Sequence, residues 1–237
     1  MTRPPDISKS LVASVIVPAL NEESTIREVV QKLLNLSVTL EIIVVNDGSS
    51  DLTPSILESF KDQILVITNE FPQGKGSAIR KAIAIATGDI IAIQDADLEY
   101  KPEELIKVIE PIQNNEADFV LGTRFSHGFP KSMALPNKTV NLLLAWSVRL
   151  LYGSRITDEA TCYKAVRTSA IKRMNLQCNR FEFCPEVVSK SIRMKLRIKE
   201  VPISYVARSK AAGKKIRWTD APEAFLTLLK YRFWKPT

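Results

Sequence analysis

The stretch Asp89–Tyr100, DIIAIQDADLEY, decides the fold. It begins as a short run of β-branched, apolar residues and breaks into carboxylates, the pattern of a buried strand ending in a polar turn. Outward from it, further β-rich runs at residues 13–17, 41–45, 64–68 and 118–121 alternate with segments carrying apolar residues at threes and fours, near 24–36, 52–60, 76–86 and 102–112. Such alternation is the signature of βαβ units around a largely parallel sheet. Ser24 and Asp51 are placed to cap helices, and Pro102 suits a first helical turn. Beyond about residue 125 the pattern weakens into a Pro-flanked stretch (128–137), an apolar helix, a polar segment around 157–164 and a further strand at 198–205.

With 237 residues, 45% of them hydrophobic, the chain is long enough for one sizeable core and is expected to form a single domain over residues 1–237. The 33 Lys and Arg exceed the 26 Asp and Glu by seven, which asks for an anionic partner. The basic residues match no RNA- or DNA-binding motif, so nucleic acid is not the expected one. Cys162, Cys178 and Cys184 form no Cys-x-x-Cys pair, arguing against a disulfide framework or structural zinc and for a reducing, cytoplasmic compartment. The single histidine, His127, leaves no basis for a Ser-His-Asp enzyme or a His-based metal centre. The polar N-terminus lacks the apolar core of a signal peptide, and no run approaches the roughly 20 apolar residues of a membrane span. Residues 140–152 (VNLLLAWSVRLLY) and 225–234 (FLTLLKYRFW) come nearest and suit contact with a membrane face without crossing it; the first is equally compatible with a buried helix.

In open α/β sheets, ligands sit beyond the carboxyl ends of the strands. Here those ends read PALNE (Pro18–Glu22), NDGS (Asn46–Ser49) and QDADLE (Gln94–Glu99). If strand geometry continued past Asp95, then Asp95, Asp97 and Glu99 would share one face and offer hard oxygen ligands to Mg²⁺ or Mn²⁺. Asp47, between a strand and a tight turn, can accept hydrogen bonds from a nucleobase or ribose, while Asp51 reads as a cap. Gly74-Lys75-Gly76-Ser77 opens a helix whose N–H groups could receive an anion, although it matches no phosphate-loop fingerprint.

Taken in order, Ser14–Ile26 (SVIVPALNEESTI), Ile42–Thr53 (IIVVNDGSSDLT), Gly74–Tyr100, Gly122–Phe125 (GTRF), Thr157–Arg167 (TDEATCYKAVR) and Val201–Ala221 resemble the family 2 glycosyltransferases of the GT-A fold. Within them they are most similar to the dolichyl-phosphate mannose synthase and polyprenyl-phosphate glycosyltransferase branch. The resemblance covers nearly the whole chain. It implies a three-layer α/β domain with a mainly parallel, mixed sheet, in which about 11–125 binds the nucleotide sugar. About 126–237 would bind the acceptor and end in an amphipathic helix. It implies that Pro18, Ala19, Asn21, Glu22, Asp47, Lys75 and Ala96 line the nucleotide-sugar site, and that Asp95 and Asp97 hold metal and diphosphate. Glu99 stands beside the metal where the branch usually has Gln. Arg208, with Lys210, Lys214 and Lys215 around Gly213, resembles the cationic loop that closes over the phosphates, the alternative for these charges being a solvated basic face.

Breaking the anomeric C–O bond builds negative charge on the leaving nucleoside diphosphate, which a divalent cation and Arg or Lys stabilise. By this reasoning Asp97 and Arg208 are the expected catalytic residues. A hydroxyl acceptor needs a base, whereas a phosphate monoester is already mostly ionised at neutral pH and needs cations. Arg124, Lys131, Lys138, Arg149 and Arg155 supply cations interleaved with the apolar 140–152 segment, and the resemblance places Arg124 and Lys138 nearest the acceptor phosphate. Asp158-Glu159 stands where other family 2 enzymes place a base, so Asp158 is a catalytic candidate for a hydroxyl acceptor. Phe181-Glu182-Phe183 reads either as an acceptor-groove wall or as packing. The expected reaction is therefore metal-dependent, inverting transfer of a hexose from GDP-mannose or a UDP-hexose to a polyprenyl or dolichyl phosphate. Transfer to a sugar hydroxyl is the first alternative and a non-catalytic nucleotide-sugar-binding subunit the second. The chain ends at Trp234-Lys235-Pro236-Thr237 without a membrane helix, so peripheral membrane contact or a membrane partner subunit is expected.

Overall fold

The computed structural model describes residues 12–126, 128–130, 133–208 and 220–236. In chain order the strands are β1 (Ala13–Ala19), β2 (Leu40–Asn46), β3 (Leu65–Thr68), β4 (Ile90–Ile93), β5 (Phe119–Thr123), β6 (Lys164–Arg167) and β7 (Ile198–Pro202). They form one sheet in the order β3-β2-β1-β4-β6-β5-β7. Every neighbouring pair is parallel except those made by β6, which runs antiparallel between β4 and β5. The central strands are apolar on both faces and fully covered, as parallel strands must be: Val15, Ile16 and Val17 of β1 and Ile90, Ile91 and Ala92 of β4 are completely buried.

The helices are α1 (Ile26–Leu34), α2 (Thr53–Glu58), α3 (Lys75–Ile85), α4 (Leu105–Gln113, preceded by a 3₁₀ turn at Pro102–Glu104), α5 (Leu135–Tyr152), α6 (Thr168–Arg173), α7 (Phe183–Arg193) and α8 (Ala221–Tyr231). Helices α1 and α4 meet through the 3₁₀ turn on one face of the sheet, and α3 and α6 pack together on the other, giving three layers. Helices α5, α7 and α8 pack on one another.

The chain's own pattern explains most boundaries. Thr25, rather than Ser24, caps α1 and does so without a side-chain hydrogen bond. The N-cap of α2 is Leu52 rather than Asp51, whose carboxylate nonetheless ties the helix start by accepting the N–H of Thr53 at 2.9 Å and that of Glu23 at 3.1 Å. Two expectations are corrected. The last strand stops at Pro202 instead of reaching Tyr205, its final bond to β5 running from the Ile203 N–H to the Thr123 carbonyl at 3.1 Å. The polar segment around 157–164 runs into β6, whose inward Lys164 is buried because its Nζ donates to the main-chain oxygens of Glu159 and Thr161.

Helix α5 is not a core helix. Only Leu144 and Val148 are buried, while Leu142, Leu143, Trp146 and Leu150 form an outward stripe at helical spacing. Leu226 and Leu229 of α8 and Phe233 beyond it are exposed as well. Among the described residues no helix is long and apolar enough to cross a membrane.

Candidate active site

Strand register brings three polar turns to one place. Ala19 at the end of β1 is level with Asn46 at the end of β2, and Ile93 at the end of β4 is level with Ile16. The Asp47 N–H then bonds the Ala19 carbonyl at 2.8 Å and the Gln94 N–H bonds the Ile16 carbonyl at 3.0 Å. Where β4 reverses the direction of strand addition, the carboxyl ends open a crevice. It holds a cavity of about 290 Å³. Pro18, Ala19, Glu22 and Asp47 form one wall; Lys75, Asp95, Ala96, Asp97 and Glu99 form the floor and the other wall.

Asn21 does not line this cavity. Its backbone adopts a left-handed conformation (φ 50°) and its Oδ1 accepts the Ser50 N–H at 2.8 Å, tying the β1 turn to the β2 turn. Asp47 is committed to the chain as well: its carboxylate accepts Asn69 Nδ2 at 2.7 Å, Gln73 N at 2.9 Å and Gly74 N at 2.8 Å. Gly74 (φ 98°) is required there, since a Cβ would come within 2.4 Å of the Asn179 carbonyl oxygen. The α3 N-terminus is consequently not the open anion receptor expected from sequence, because the Gly74 N–H serves Asp47 and the Ser77 N–H serves the Asn179 carbonyl.

The acidic turn departs from extended geometry. β4 ends at Ile93 and Leu98 turns left-handed (φ 59°), so Asp95, Asp97 and Glu99 do not share one strand face. Asp95 forms an ion pair with Lys75, whose Nζ also lies 3.0 Å from Cys162 Sγ. Burial alone would lower the Lys75 pKa, but the Asp95 carboxylate beside it raises it well above the ordinary lysine value. Glu99 accepts the backbone N–H of Arg208 at 2.6 Å and the Tyr205 hydroxyl at 2.9 Å. Asp97 Oδ1 accepts the Glu99 N–H at 3.0 Å. Burial, then the charges of Asp95 and Glu99, push Asp97 up to about 7. Arg208 donates to Glu22 at 2.8 Å and stands 4.0 Å from Asp97, bridging two walls of the crevice. Lys210, Gly213, Lys214, Lys215 and His127 lie outside the described residues. No group of three His, Cys, Asp or Glu among the described residues is gathered as a ready metal cage. The hard oxygens of Asp95 and Asp97 nonetheless suit Mg²⁺ or Mn²⁺, which keeps several ligands from water and substrate phosphate.

A second cavity, about 90 Å³, shares Arg124, Ala160, Arg180, Phe181 and Tyr205 with the first. Its outer walls come from α5 (Asn137, Val140, Asn141, Leu144) and α8 (Ala221, Ala224). Arg124, just past β5, is locked to Asp158: Nε donates to Oδ2 at 2.8 Å, Nη2 to Oδ1 at 2.6 Å, and the Arg124 N–H to Oδ2 at 2.9 Å. Asn141 accepts a further Nη2 bond at 3.1 Å, and the Tyr205 and Phe125 rings lie 5.0 and 5.1 Å from the guanidinium carbon. The 157–158 turn is itself pinned by Glu200 of β7, which accepts the N–H groups of Thr157 and Asp158 at 3.0 Å.

Lys138 is not among the residues that line this cavity. Sequence reasoning missed Arg180, which lines both cavities from the 175–182 loop, and Asn137 and Asn141, which only the helix register reveals. Phe181 and Glu182 line the second cavity, whereas Phe183 is buried packing.

The model of glycosyl transferase family 2 matches residues 14–174. A UDP-N-acetylglucosamine–dolichyl-phosphate N-acetylglucosaminyltransferase of Methanococcus voltae is 33% identical over 226 residues, covering 85% of this chain and 89% of that protein. A dolichol-phosphate mannosyltransferase of Pyrococcus furiosus is 28% identical over 210 residues, covering 85% of this chain and 58% of that protein. Glucosyl-3-phosphoglycerate synthase from Mycobacterium tuberculosis, solved in complex with UDP, superposes with a TM-score of 0.72 at 21% identity, covering 96% of this chain and 82% of that one. The same enzyme solved with Mn²⁺, UDP and phosphoglyceric acid gives 0.70 at 20% identity, covering 96% and 80%. That likeness establishes the GT-A fold. The chain belongs to glycosyl transferase family 2, whose members transfer a sugar from a nucleotide-sugar donor.

Proposed function

We propose that this protein transfers a hexose from a nucleoside-diphosphate sugar, GDP-mannose or a UDP-hexose, to a polyprenyl phosphate, with inversion at the anomeric carbon. The observation that carries the reading is the Arg124 cavity, which shares a wall with the strand-end crevice and is closed on its far side by α5 and α8, the helices with exposed apolar stripes. In this reading residues up to about 125 bind the donor and those from about 126 complete the acceptor site. The two dolichyl-phosphate enzymes among the relatives support it.

Pro18, Ala19, Glu22 and Asp47 hold the nucleoside, with Asn21 bracing their turn. Asp95 and Asp97 would hold Mg²⁺ or Mn²⁺, with Glu99 beside them. The cation supplies charge neutralisation for the leaving nucleoside diphosphate. Lys75, held on Asp95, and Arg208, held on Glu22, aim two further cations at that diphosphate, where negative charge develops. The acceptor phosphate meets Arg124, with Lys138, next in sequence to the lining Asn137, as the second candidate cation. Asp158, both of whose oxygens are engaged by Arg124, acts as a positioning residue: the acceptor is already ionised and requires no base.

The exposed leucines, Trp146 and Phe233, with Arg149, Lys230 and Lys235 among them, make a face suited to an anionic lipid interface, where the polyprenyl chain resides. Trp146→Glu is expected to raise the KM for a long-chain polyprenyl phosphate in vesicles by at least about tenfold, the scale of losing one buried aromatic side chain. The KM for a short, water-soluble prenyl phosphate should stay within twofold. Equal effects on both acceptors would contradict a lipid-facing site.

A further inference from the structure

Glu159 is almost wholly buried on the wall of the second cavity, next to the Arg124–Asp158 pair. Both its carboxyl oxygens are buried without a hydrogen-bond partner among the described residues, which is costly unless something absent from the free protein completes them. Its neighbour Asp158 leaves no such vacancy, since Arg124 saturates it.

The charges around Glu159 decide what it can offer. Burial, the largest influence, favours the protonated carboxyl; the Lys164 cation of β6 and Arg124 stabilise the ionised form, Cys184 of α7 and Asp158 disfavour it, and the carboxyl is pushed up to about 8. The cavity's other charged wall residues are Arg180, Glu182, Asp220 and Glu223. With Arg124 already matched by Asp158, the cavity has no surplus of positive charge. A dianionic phosphate entering it needs neutral hydrogen-bond donors, and an ionised Glu159 would repel it.

We propose that Glu159 is a specificity-determining residue of the acceptor site, its neutral carboxyl donating a hydrogen bond to an oxygen of the acceptor phosphate beside Arg124. The proposal rests on the phosphate-acceptor reading above. A carboxyl in this role accepts no proton during turnover, so it is distinct from a catalytic base. It makes acceptor affinity sensitive to pH: once Glu159 ionises, donor becomes repellent, and KM climbs by up to tenfold per pH unit.

The test is the acceptor KM and kcat of the full-length protein and of Glu159→Gln and Glu159→Ala, measured with polyprenyl phosphate from pH 7 to 9.5, where the acceptor stays dianionic. The wild type should show a level KM to about pH 8 and a rise above it. Glu159→Gln, which keeps an N–H donor but cannot ionise, should have a KM raised a few-fold at pH 7 that then stays flat. Glu159→Ala should raise KM at pH 7 by about tenfold or more, the scale of a hydrogen bond to a charged group, with kcat changed less than threefold. Donor-nucleotide affinity checks that each variant is folded. An alkaline rise in Glu159→Gln matching the wild type's would overturn the proposal, as would collapse of its kcat, which would make Glu159 a base. A wild type that transfers to sugar hydroxyls and not to polyprenyl phosphate would instead overturn the acceptor reading on which it stands.

Discussion

Asp97→Asn is expected to lower the transfer rate by about 10²–10³-fold, the usual cost of removing one preorganised electrostatic group from the place where charge develops. The loss should not be a folding defect. The Asp97 carboxyl is held near 7 in the folded protein against an ordinary value of 3.8, so the native state keeps a proton that the unfolded chain has released between those pH values. Its contribution to stability therefore falls as pH rises through that window and stays unfavourable above it. Asn carries no charge and escapes this loss. Metal-free Asp97→Asn should melt at or above the wild-type temperature at pH 7.5 while turning over far more slowly. Wild-type turnover in this variant would remove Asp97 from the catalytic account.

The second large effect is structural in origin. Asp158→Asn leaves the buried Arg124 guanidinium without its counter-charge, and breaking a buried pair in this way costs about 3–5 kcal/mol. For a chain of this size that lowers the melting temperature by about 10 °C. Because Arg124 is the cation facing the acceptor, the KM for the phosphate acceptor should rise with it while donor-nucleotide affinity stays near wild type. Near-total loss of kcat at the wild-type melting temperature would point instead to Asp158 as a base acting on a hydroxyl acceptor.

The strands that build the donor crevice were legible because burial on both faces forces them into unbroken apolar runs, and their polar ends stand out by contrast. β1, β2 and β4, with Pro18, Glu22, Asp47, Asp95 and Asp97 at their ends, could be read directly, as could Lys75 at the start of α3. β6 could not: Lys164 and Arg167 bracket only two apolar residues, and a lysine becomes a core residue only through main-chain oxygens brought to it by the fold. The carboxylates of 95–99 defied the strand rule because β4 ends at Ile93 and the chain then turns, with Leu98 left-handed, leaving Glu99 to accept from Arg208 and Tyr205. Arg180 carries no motif and enters the site only because the loop before α7 packs against α3 through the close contacts at Gly74 and Gly76. Whether the apolar residues of α5 face the core or the outside was likewise undecidable from periodicity, since both arrangements use the same residue types. The packing of α8 against α5 decides it.

The most direct measurement of the central claim is transfer itself. Purified protein is incubated with Mn²⁺ or Mg²⁺, a panel of labelled GDP- and UDP-sugars, and polyprenyl phosphate in vesicles, and the label partitioned into organic solvent is counted. The account predicts label in the lipid phase with one donor class, abolished by chelator and sharply reduced in Asp97→Asn. Label appearing only on glycan or other hydroxyl acceptors, with none in the lipid phase for any donor, would contradict it.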